Sequence, residues 1–302
     1  MSKSWRPRIL VFSGVFGILL FFFAVAISNN EVAETPAALD AMVGDQKRGE
    51  YLIRAAGCVA CHTDTKNEGE YLAGGPPIET QFGTFYAPNI TPHSELGIGG
   101  WSLKDLYISM TAGVSPLGEH YFPAFPYTSY TRLRIQDIVD LKAYIDSVAP
   151  IEKSSVAHEI SWPFGYRELL SVWKLVFFDL NAEDQSIKES SRQDRGDYLV
   201  NGPGHCGECH SQRNILGGVS DDNPLAGNSR GPEGYSVPAI AGKKSSIVVW
   251  DESDITFYLQ TGVKPDGDVA GGAMSEVIFE STSYLTEEDA GAIALYLFKQ
   301  KQ

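Results

Sequence analysis

All four cysteines of this 302-residue chain stand in one pattern that occurs twice, Cys-x-x-Cys followed at once by His. The two motifs are Cys58, Cys61 and His62, and Cys206, Cys209 and His210. Two thiols one helical turn apart can each form a thioether with a vinyl group of a tetrapyrrole, and the adjacent imidazole is then held under the iron. The spacing therefore predicts two covalently bound haem c groups, with both histidines as proximal iron ligands.

Other uses of paired cysteines fit this spacing less well. A thioredoxin-like site has one Cys-x-x-Cys near a βαβ pattern and needs no following histidine. A four-cysteine zinc site usually has its two pairs within about 15–20 residues of each other, whereas about 145 residues separate the pairs here. A disulfide across a two-residue gap closes a strained ring.

The chain repeats itself around the two motifs. Residues 48–53 (Arg-Gly-Glu-Tyr-Leu-Ile) match residues 195–200 (Arg-Gly-Asp-Tyr-Leu-Val), and Asp137 matches Asp289 near the end of each copy. Self-similarity of this kind indicates a duplicated structural unit. We therefore predict two copies of one module of about 100 residues.

The elements that must position the motifs are predicted to be helices. Three segments have apolar residues at helical spacing, with acidic residues near their starts. These segments are residues 102–112, 135–147 and 286–298. Strand signals are weak, and the Gly- and Pro-rich stretches 74–100 and 215–244 are predicted to be loops wrapped around a ligand. We expect an all-α fold with two tandem domains, residues 46–150 and 191–302.

Residues 151–190 connect the two predicted domains. They include an apolar run, residues 169–180, which is too short for a membrane span and is interrupted by Lys174. We expect a helix here that packs the two domains together. The alternative is a docking surface for a partner protein.

A helical module of this size with Cys-x-x-Cys-His near its start resembles the class I cytochrome c fold. Four further blocks make the resemblance more specific, and they are residues 83–92, 97–101, 122–130 and 272–274. Over about residues 45–302 the chain resembles the cytochrome c subunits of membrane-bound alcohol, aldehyde and gluconate dehydrogenases. Those subunits typically carry three haems, whereas this chain has two attachment motifs.

The resemblance implies an electron carrier and not an enzyme. Electrons would pass from a periplasmic or membrane dehydrogenase to a terminal oxidase or a soluble cytochrome of a respiratory chain. The sequence contains no Gly-rich dinucleotide fingerprint and no nucleophile elbow. Its net charge of -14 argues against nucleic acid as a partner and favours a basic protein partner.

The sixth iron ligands are expected to differ between the modules. Met274 stands in a Gly-Gly-Ala-Met loop, where the resemblance implies an axial methionine, and we expect it to ligate the second haem. The repeat places Phe125 at the equivalent position in the first module, and a phenyl ring has no lone pair for iron. His120 is the nearest nitrogen donor and a candidate sixth ligand of the first haem. His93, in another loop, and an open or water-bound site are the alternatives.

An open sixth site would allow the first haem to bind peroxide or a small gas. The alternative function is therefore a peroxidase-like or gas-binding haem protein, in which His120 could serve as an acid–base group.

The resemblance also implies a role for two prolines. Pro88 and Pro238 should lie in the loop that faces each proximal histidine, where a backbone carbonyl accepts the imidazole Nδ1–H and fixes its tautomer. The alternative is that both are turn prolines without a part in the site.

The N-terminus predicts export. The first eight residues carry three basic side chains and no acid, and residues 9–27 are uncharged. Nineteen helical residues span roughly 28 Å, close to the hydrocarbon thickness of a bilayer. We expect residues 1–28 to be a membrane anchor and residues 29–45 a tether, so that the protein crosses the bacterial inner membrane once with its globular part in the periplasm. A cleaved signal peptide, with an Ala-x-Ala-like site at residues 24–26, is the alternative.

Overall fold

The computed structural model describes residues 35–179, 190–220, 223–231 and 234–300. The helices of the first module are α1 (Gln46–Ala55), α2 (Cys58–His62), α3 (Leu103–Ala112), α4 (Tyr127–Tyr130) and α5 (Ile135–Ile145). The later helices are α6 (Glu168–Phe177), α7 (Arg192–Asn201), α8 (Gly207–His210), α9 (Glu252–Thr261), α10 (Ala273–Glu280) and α11 (Glu287–Lys299). Single 3-10 turns occur at Leu39–Ala41, Thr65–Asn67 and Thr282–Tyr284. The three segments predicted to be helical are confirmed, with ends that differ by no more than two residues.

The all-α prediction is wrong, because the first module includes a small antiparallel sheet. Its strands, in the order in which they pair, are β1 (Pro77–Thr80), β2 (Gly83–Tyr86) and β3 (Glu159–Ile160). Strands of two to four residues are too short to show the alternation by which strands are recognised in a sequence. The third strand also comes from the connecting segment, with Ile160 opposite Gly83, so local pattern contains no sign of this pairing.

The prediction of a protein that crosses the inner membrane once is also corrected. Residues 9–27, on which it rests, lie outside the described residues. Within the described part of the chain, no helix is long and apolar enough to cross a membrane. The longest helix there, α11, has 13 residues and is roughly 20 Å long, whereas a bilayer core needs about 20 helical residues.

The same pair of helices forms the centre of each module. In the first module, α1 crosses α5 at Gly49, where a Cβ atom would lie 2.0 Å from the carbonyl oxygen of Asp140. In the second module, α7 crosses α11 at Gly196, where a Cβ atom would lie 2.1 Å from the carbonyl oxygen of Ala292. Both crossings require glycine for steric reasons, and this explains why the repeated Arg-Gly-x-Tyr-Leu segment has glycine at its second position in each module.

Helix α6 contacts both modules, which confirms the packing role predicted for the connecting segment. The Trp173 indole donates a hydrogen bond to the carbonyl oxygen of Leu216 in the second module, at 2.8 Å. On the first module, Lys174 Nζ donates to the carbonyl oxygens of Ala112 and Gly113, at 2.6 and 2.8 Å. The exact limits of the two domains stay a prediction.

Two hydrogen bonds join the modules crosswise. The Tyr51 hydroxyl, on α1, donates to Asp289 Oδ2 on α11 at 2.5 Å. The Tyr198 hydroxyl, on α7, donates to Asp137 Oδ2 on α5. Each module therefore supplies one phenol and one carboxylate to this pair of hydrogen bonds.

Each of these carboxylates also receives an arginine from its own module. Arg48 Nη2 lies 2.5 Å from Asp137 Oδ1, and Arg195 Nη2 lies 2.6 Å from Asp289 Oδ2. The exposed fraction of the two carboxylate side chains is only 0% and 10%. Buried carboxylates need charged partners and hydrogen-bond donors, so the arginines and tyrosines stabilise the fold at this interface.

The first prediction concerns Asp289→Asn. Burial alone would raise the pKa of the Asp289 carboxyl, but hydrogen bonds from Arg195 and Tyr51 and the charge of Arg195 lower it overall. A lowered carboxyl pKa contributes stability above the unfolded value of about 3.9, and this stability is lost as the pH falls through the folded pKa. We expect the variant to lose about 1–3 kcal/mol in urea unfolding at pH 7, and the difference from wild type to shrink below about pH 4.

The matched control is Asp268→Asn, which removes an exposed carboxylate that pairs with Lys264. Solvent-exposed ion pairs contribute little, so this variant should unfold like the wild type. An Asp289→Asn variant whose stability equals that of wild type at pH 7 would contradict the assignment.

Candidate functional site

The two cysteine motifs lie on two short helices. Helix α2 contains the whole first motif, and the second motif begins at the residue that caps α8 and ends at the last residue of that helix. All four thiols are free of disulfides. Burial raises the pKa of the Cys58 and Cys206 thiols to about 12, so both are neutral thiols near pH 7.

The histidine of each motif contacts a proline carbonyl, as the resemblance implied for Pro88 and Pro238. His62 Nδ1 lies 2.7 Å from the carbonyl oxygen of Pro88, and His210 Nδ1 lies 2.8 Å from that of Pro238. A carbonyl oxygen can only accept, so Nδ1 carries the proton in both rings and the Nε2 lone pair is left for a metal. Burial lowers the pKa of both imidazoles, while these hydrogen bonds act in the opposite direction. Both histidines are thus held in the neutral tautomer that an iron ligand requires.

A large cavity adjoins the first motif. Its volume is about 1920 Å³, and its lining includes Cys58, Cys61 and His62 together with mostly apolar side chains. Ordinary small-molecule pockets measure roughly 300–1,000 Å³. Two thiols, an imidazole with a fixed tautomer and a wide apolar space are the parts that a covalently attached haem requires, so the residues fit this cofactor.

The side chains expected near the sixth iron position differ between the modules. Phe125 lines the cavity of the first module, and its ring meets those of Tyr121 and Tyr130 edge-on, at centroid distances of 5.7 and 5.6 Å. In the second module, Met274 is the second residue of α10 and packs against the core. Ligation by Met274 stays a prediction.

His120 is engaged by the connecting helix. Its Nδ1 lies 3.0 Å from Lys174 Nζ, and its carbonyl oxygen accepts a hydrogen bond from Arg167 at 2.8 Å. Burial and the charge of Lys174 lower the pKa of His120 to about 4, and burial lowers that of Lys174 to about 7. The neighbours Glu119 and Tyr121 line the cavity, whereas the imidazole of His120 contacts this lysine.

The turn that carries His120 recurs in the second module without a histidine. Val114 pairs with His120 in a β-bridge, and Val263 pairs with Val269 in the same way. The lysine contact is therefore a feature of the first module alone.

Two further histidines line this cavity, although the sequence did not single them out. His158, from the connecting segment, packs edge-on against Phe85 and Phe122 and accepts a hydrogen bond from the Tyr86 amide at 3.2 Å. His205 comes from the second module. Its position immediately before Cys206 was the one available signal, whereas nothing in the sequence places His158 beside the first motif.

No family model matches the chain. A di-haem c-type cytochrome of Cereibacter sphaeroides is 41% identical over 88% of this chain and 89% of its own length. The cytochrome c subunit of gluconate 2-dehydrogenase from Pantoea cypripedii is 38% identical over 86% of this chain, and that of alcohol dehydrogenase (quinone) from Gluconobacter oxydans is 35% identical over 83%.

With these relatives and this site, the chain belongs to the di-haem c-type cytochromes, whose cofactor is covalently bound haem c. It is an electron carrier and not the catalytic subunit of a dehydrogenase. The chain spans 60% of the gluconate dehydrogenase subunit and 54% of the alcohol dehydrogenase subunit. The resemblance to such subunits that the sequence predicted is confirmed.

The second prediction concerns Gly75, which faces the end of α2. A Cβ atom on Gly75 would lie 1.7 Å from the carbonyl oxygen of Cys61, so Gly75→Ala must displace the helix that carries the thiols. We expect the ratio of haem to protein to fall and the free energy of unfolding to drop by about 1–3 kcal/mol. The pyridine haemochrome spectrum and urea unfolding measure both quantities.

The control for Gly75 is Gly271→Ala, since nothing lies within 4 Å of a Cβ atom at that position. This variant should keep the wild-type haem content. Equal haem content in Gly75→Ala and wild type would show that α2 does not need this close contact.

Proposed function

We propose that this chain carries two haem c groups and transfers electrons from a dehydrogenase to a terminal oxidase or a soluble cytochrome. Cys58 and Cys61 hold the first group and Cys206 and Cys209 the second. His62 and His210 are the proximal ligands, and Met274 is the sixth ligand of the second group. When bound, haem c supplies an iron that alternates between the ferrous and ferric states.

One observation carries this proposal: in both modules, a Cys-x-x-Cys-His helix presents an imidazole whose Nδ1–H is held by a prolyl carbonyl. A histidine so held keeps its orientation in both oxidation states of the metal. A thioether from Met274 would favour the reduced state and raise the potential of the second site. The names of the dehydrogenase subunits among the relatives support a dehydrogenase as the donor.

The third prediction counts electrons. The fully reduced wild-type chain, mixed with an excess of an oxidised basic cytochrome c, should deliver two electrons per chain, followed by the absorbance of the acceptor. The variants Cys58→Ala/Cys61→Ala and Cys206→Ala/Cys209→Ala should each retain one haem and deliver one electron, because each removes both attachment thiols of one site. A variant that keeps two haems, or a wild-type chain that does not reduce the acceptor, contradicts the proposal.

A second function is proposed for the first site, which would bind a small ligand such as peroxide or a diatomic gas. The side chain at the position equivalent to Met274 is Phe125, which lines the cavity and has no lone pair. The nearest imidazole, His120, contacts Lys174. A site with His62 on one side and a phenyl ring on the other would leave the sixth iron position accessible.

The fourth prediction tests this accessible position. The ferric full-length chain should show one low-spin and one high-spin electron paramagnetic resonance signal, and the high-spin signal should shift on addition of cyanide. Phe125→Met should convert it to a low-spin signal that cyanide changes more slowly, because a thioether then competes for the iron. The control is Phe85→Met, which places the same side chain elsewhere in the cavity lining and should leave the high-spin signal in place.

Two outcomes would contradict a ligand-binding first site. One is a pair of low-spin signals that neither cyanide nor carbon monoxide affects. The other is a low-spin first site that becomes high-spin in His120→Ala, because this result makes His120 the sixth ligand.

A further inference from the structure

The interface between the modules is formed by the repeated segments, which contact each other. The repeat equates Tyr51 with Tyr198 and Asp137 with Asp289, and the hydrogen bonds join these residues crosswise. In an isologous interface, two equivalent surfaces exchange the same contacts in both directions. Here the two surfaces belong to one chain, and the central contact is a phenol that donates to a buried carboxylate.

The same interface continues to the second attachment helix. Thr128 Oγ1 and Ser129 Oγ donate to Glu208 Oε1 at 2.6 and 2.9 Å. Glu208 lies between Cys206 and Cys209 on the chain. The residues that follow position 125 of the first module therefore contact the helix that carries the second pair of thiols.

On the other side of the interface, residues next to the first attachment helix contact the second module. Arg54 Nη1 lies 2.8 Å from Glu280 Oε2, and an ion pair joins Lys66 to Glu276. Arg54 precedes Cys58 by four residues, and both glutamates lie on α10, the helix on which Met274 stands. Each attachment helix is thus flanked by contacts to the segment that follows the sixth-ligand position of the other module.

The phenols in the central contact are donors that do not change with pH. Burial and the neighbouring carboxylate Asp289 raise the pKa of Tyr51, and burial and Asp137 raise that of Tyr198. Both hydroxyls therefore stay protonated at neutral pH and remain donors to the two carboxylates.

We propose that Tyr51 and Tyr198 are positioning residues for electron exchange between the two haem sites, because their crosswise hydrogen bonds fix the separation and orientation of helices α2 and α8. This inference rests on the proposed function, in that both helices must carry haem. The hydroxyl of each tyrosine acts through the aspartate that it contacts and touches neither attachment motif.

The geometry explains why hydroxyl groups can have such an effect. Electron exchange between two fixed centres falls steeply with their separation, and small displacements at a distance have large effects on reactions that need close positioning. The crosswise contacts lie at α1 and α7, the helices immediately before α2 and α8. A loosened contact there would shift one attachment helix relative to the other without changing any group bound to the iron.

The experiment uses the full chain with both haems, as Tyr51→Phe, Tyr198→Phe and the double variant. The rate of electron exchange between the sites is measured after partial reduction by pulse radiolysis, and the magnetic interaction between the two ferric sites by electron paramagnetic resonance. We expect each single variant to slow exchange by about threefold and the double variant by roughly tenfold or more. The magnetic interaction should weaken in parallel, while haem content and optical spectra stay those of the wild type.

The matched control is Tyr144→Phe, which removes a phenol hydroxyl whose partner, Tyr71, lies in the same module at 3.2 Å. It should exchange electrons at the wild-type rate. If the double tyrosine variant loses haem, Thr128→Val/Ser129→Ala tests the same interface through its contact with Glu208, and slower exchange is again expected.

Wild-type exchange and an unchanged magnetic interaction in the tyrosine variants would overturn the inference. Failure of the proposed function would give a different result, since the wild-type chain would then contain fewer than two haems or deliver fewer than two electrons.

Discussion

A carboxylate that is buried away from water needs hydrogen-bond donors. Asp137 and Asp289 are two such carboxylates at the interface between the modules. Each receives an arginine from its own module and a tyrosine from the other. Because these donors stand on different helices, satisfying one carboxylate fixes three elements at once. An isolated module would leave its own aspartate with one donor fewer, so the two modules stabilise each other, and the duplication is retained as a single structural unit.

This arrangement determines where the attachment motifs lie. Helices α2 and α8 are too short to be stable alone, since isolated helices need about 12–15 residues even in favourable sequences. They are held by what surrounds them: a preceding helix packed through a glycine, a prolyl carbonyl on the histidine, and a contact from the opposite module. The histidine tautomer and the position of the thiols therefore depend on the interface as well as on the five-residue motif.

Much of this could be predicted from the sequence, for reasons that are local. The attachment motifs follow from residue type and spacing, and the helices from periodicity, as the agreement for α3, α5 and α11 shows. The proline contacts were expected from resemblance. The three-stranded sheet was missed because β3 pairs across more than seventy residues, and the buried Lys174 because a lone lysine in an apolar run reads as an interruption. The crosswise hydrogen bonds were missed because they join residues that are far apart in the sequence. The repeat identified the equivalent tyrosines and aspartates but not their pairing.

Several differences between the modules lie on one side of the first site. The tyrosines and aspartates at the interface and the prolines that contact the histidines occur in both copies. In contrast, Phe125 stands at the position equivalent to Met274, and His120 stands at the position equivalent to Val269 in a repeated turn. Among the described residues helix α6 has no second copy, and its Lys174 contacts the carbonyl oxygens at the end of α3 together with His120. The two modules therefore share the contacts that hold their histidines and their interface, whereas Phe125, His120 and helix α6 give the first module different surroundings beside its cysteine motif.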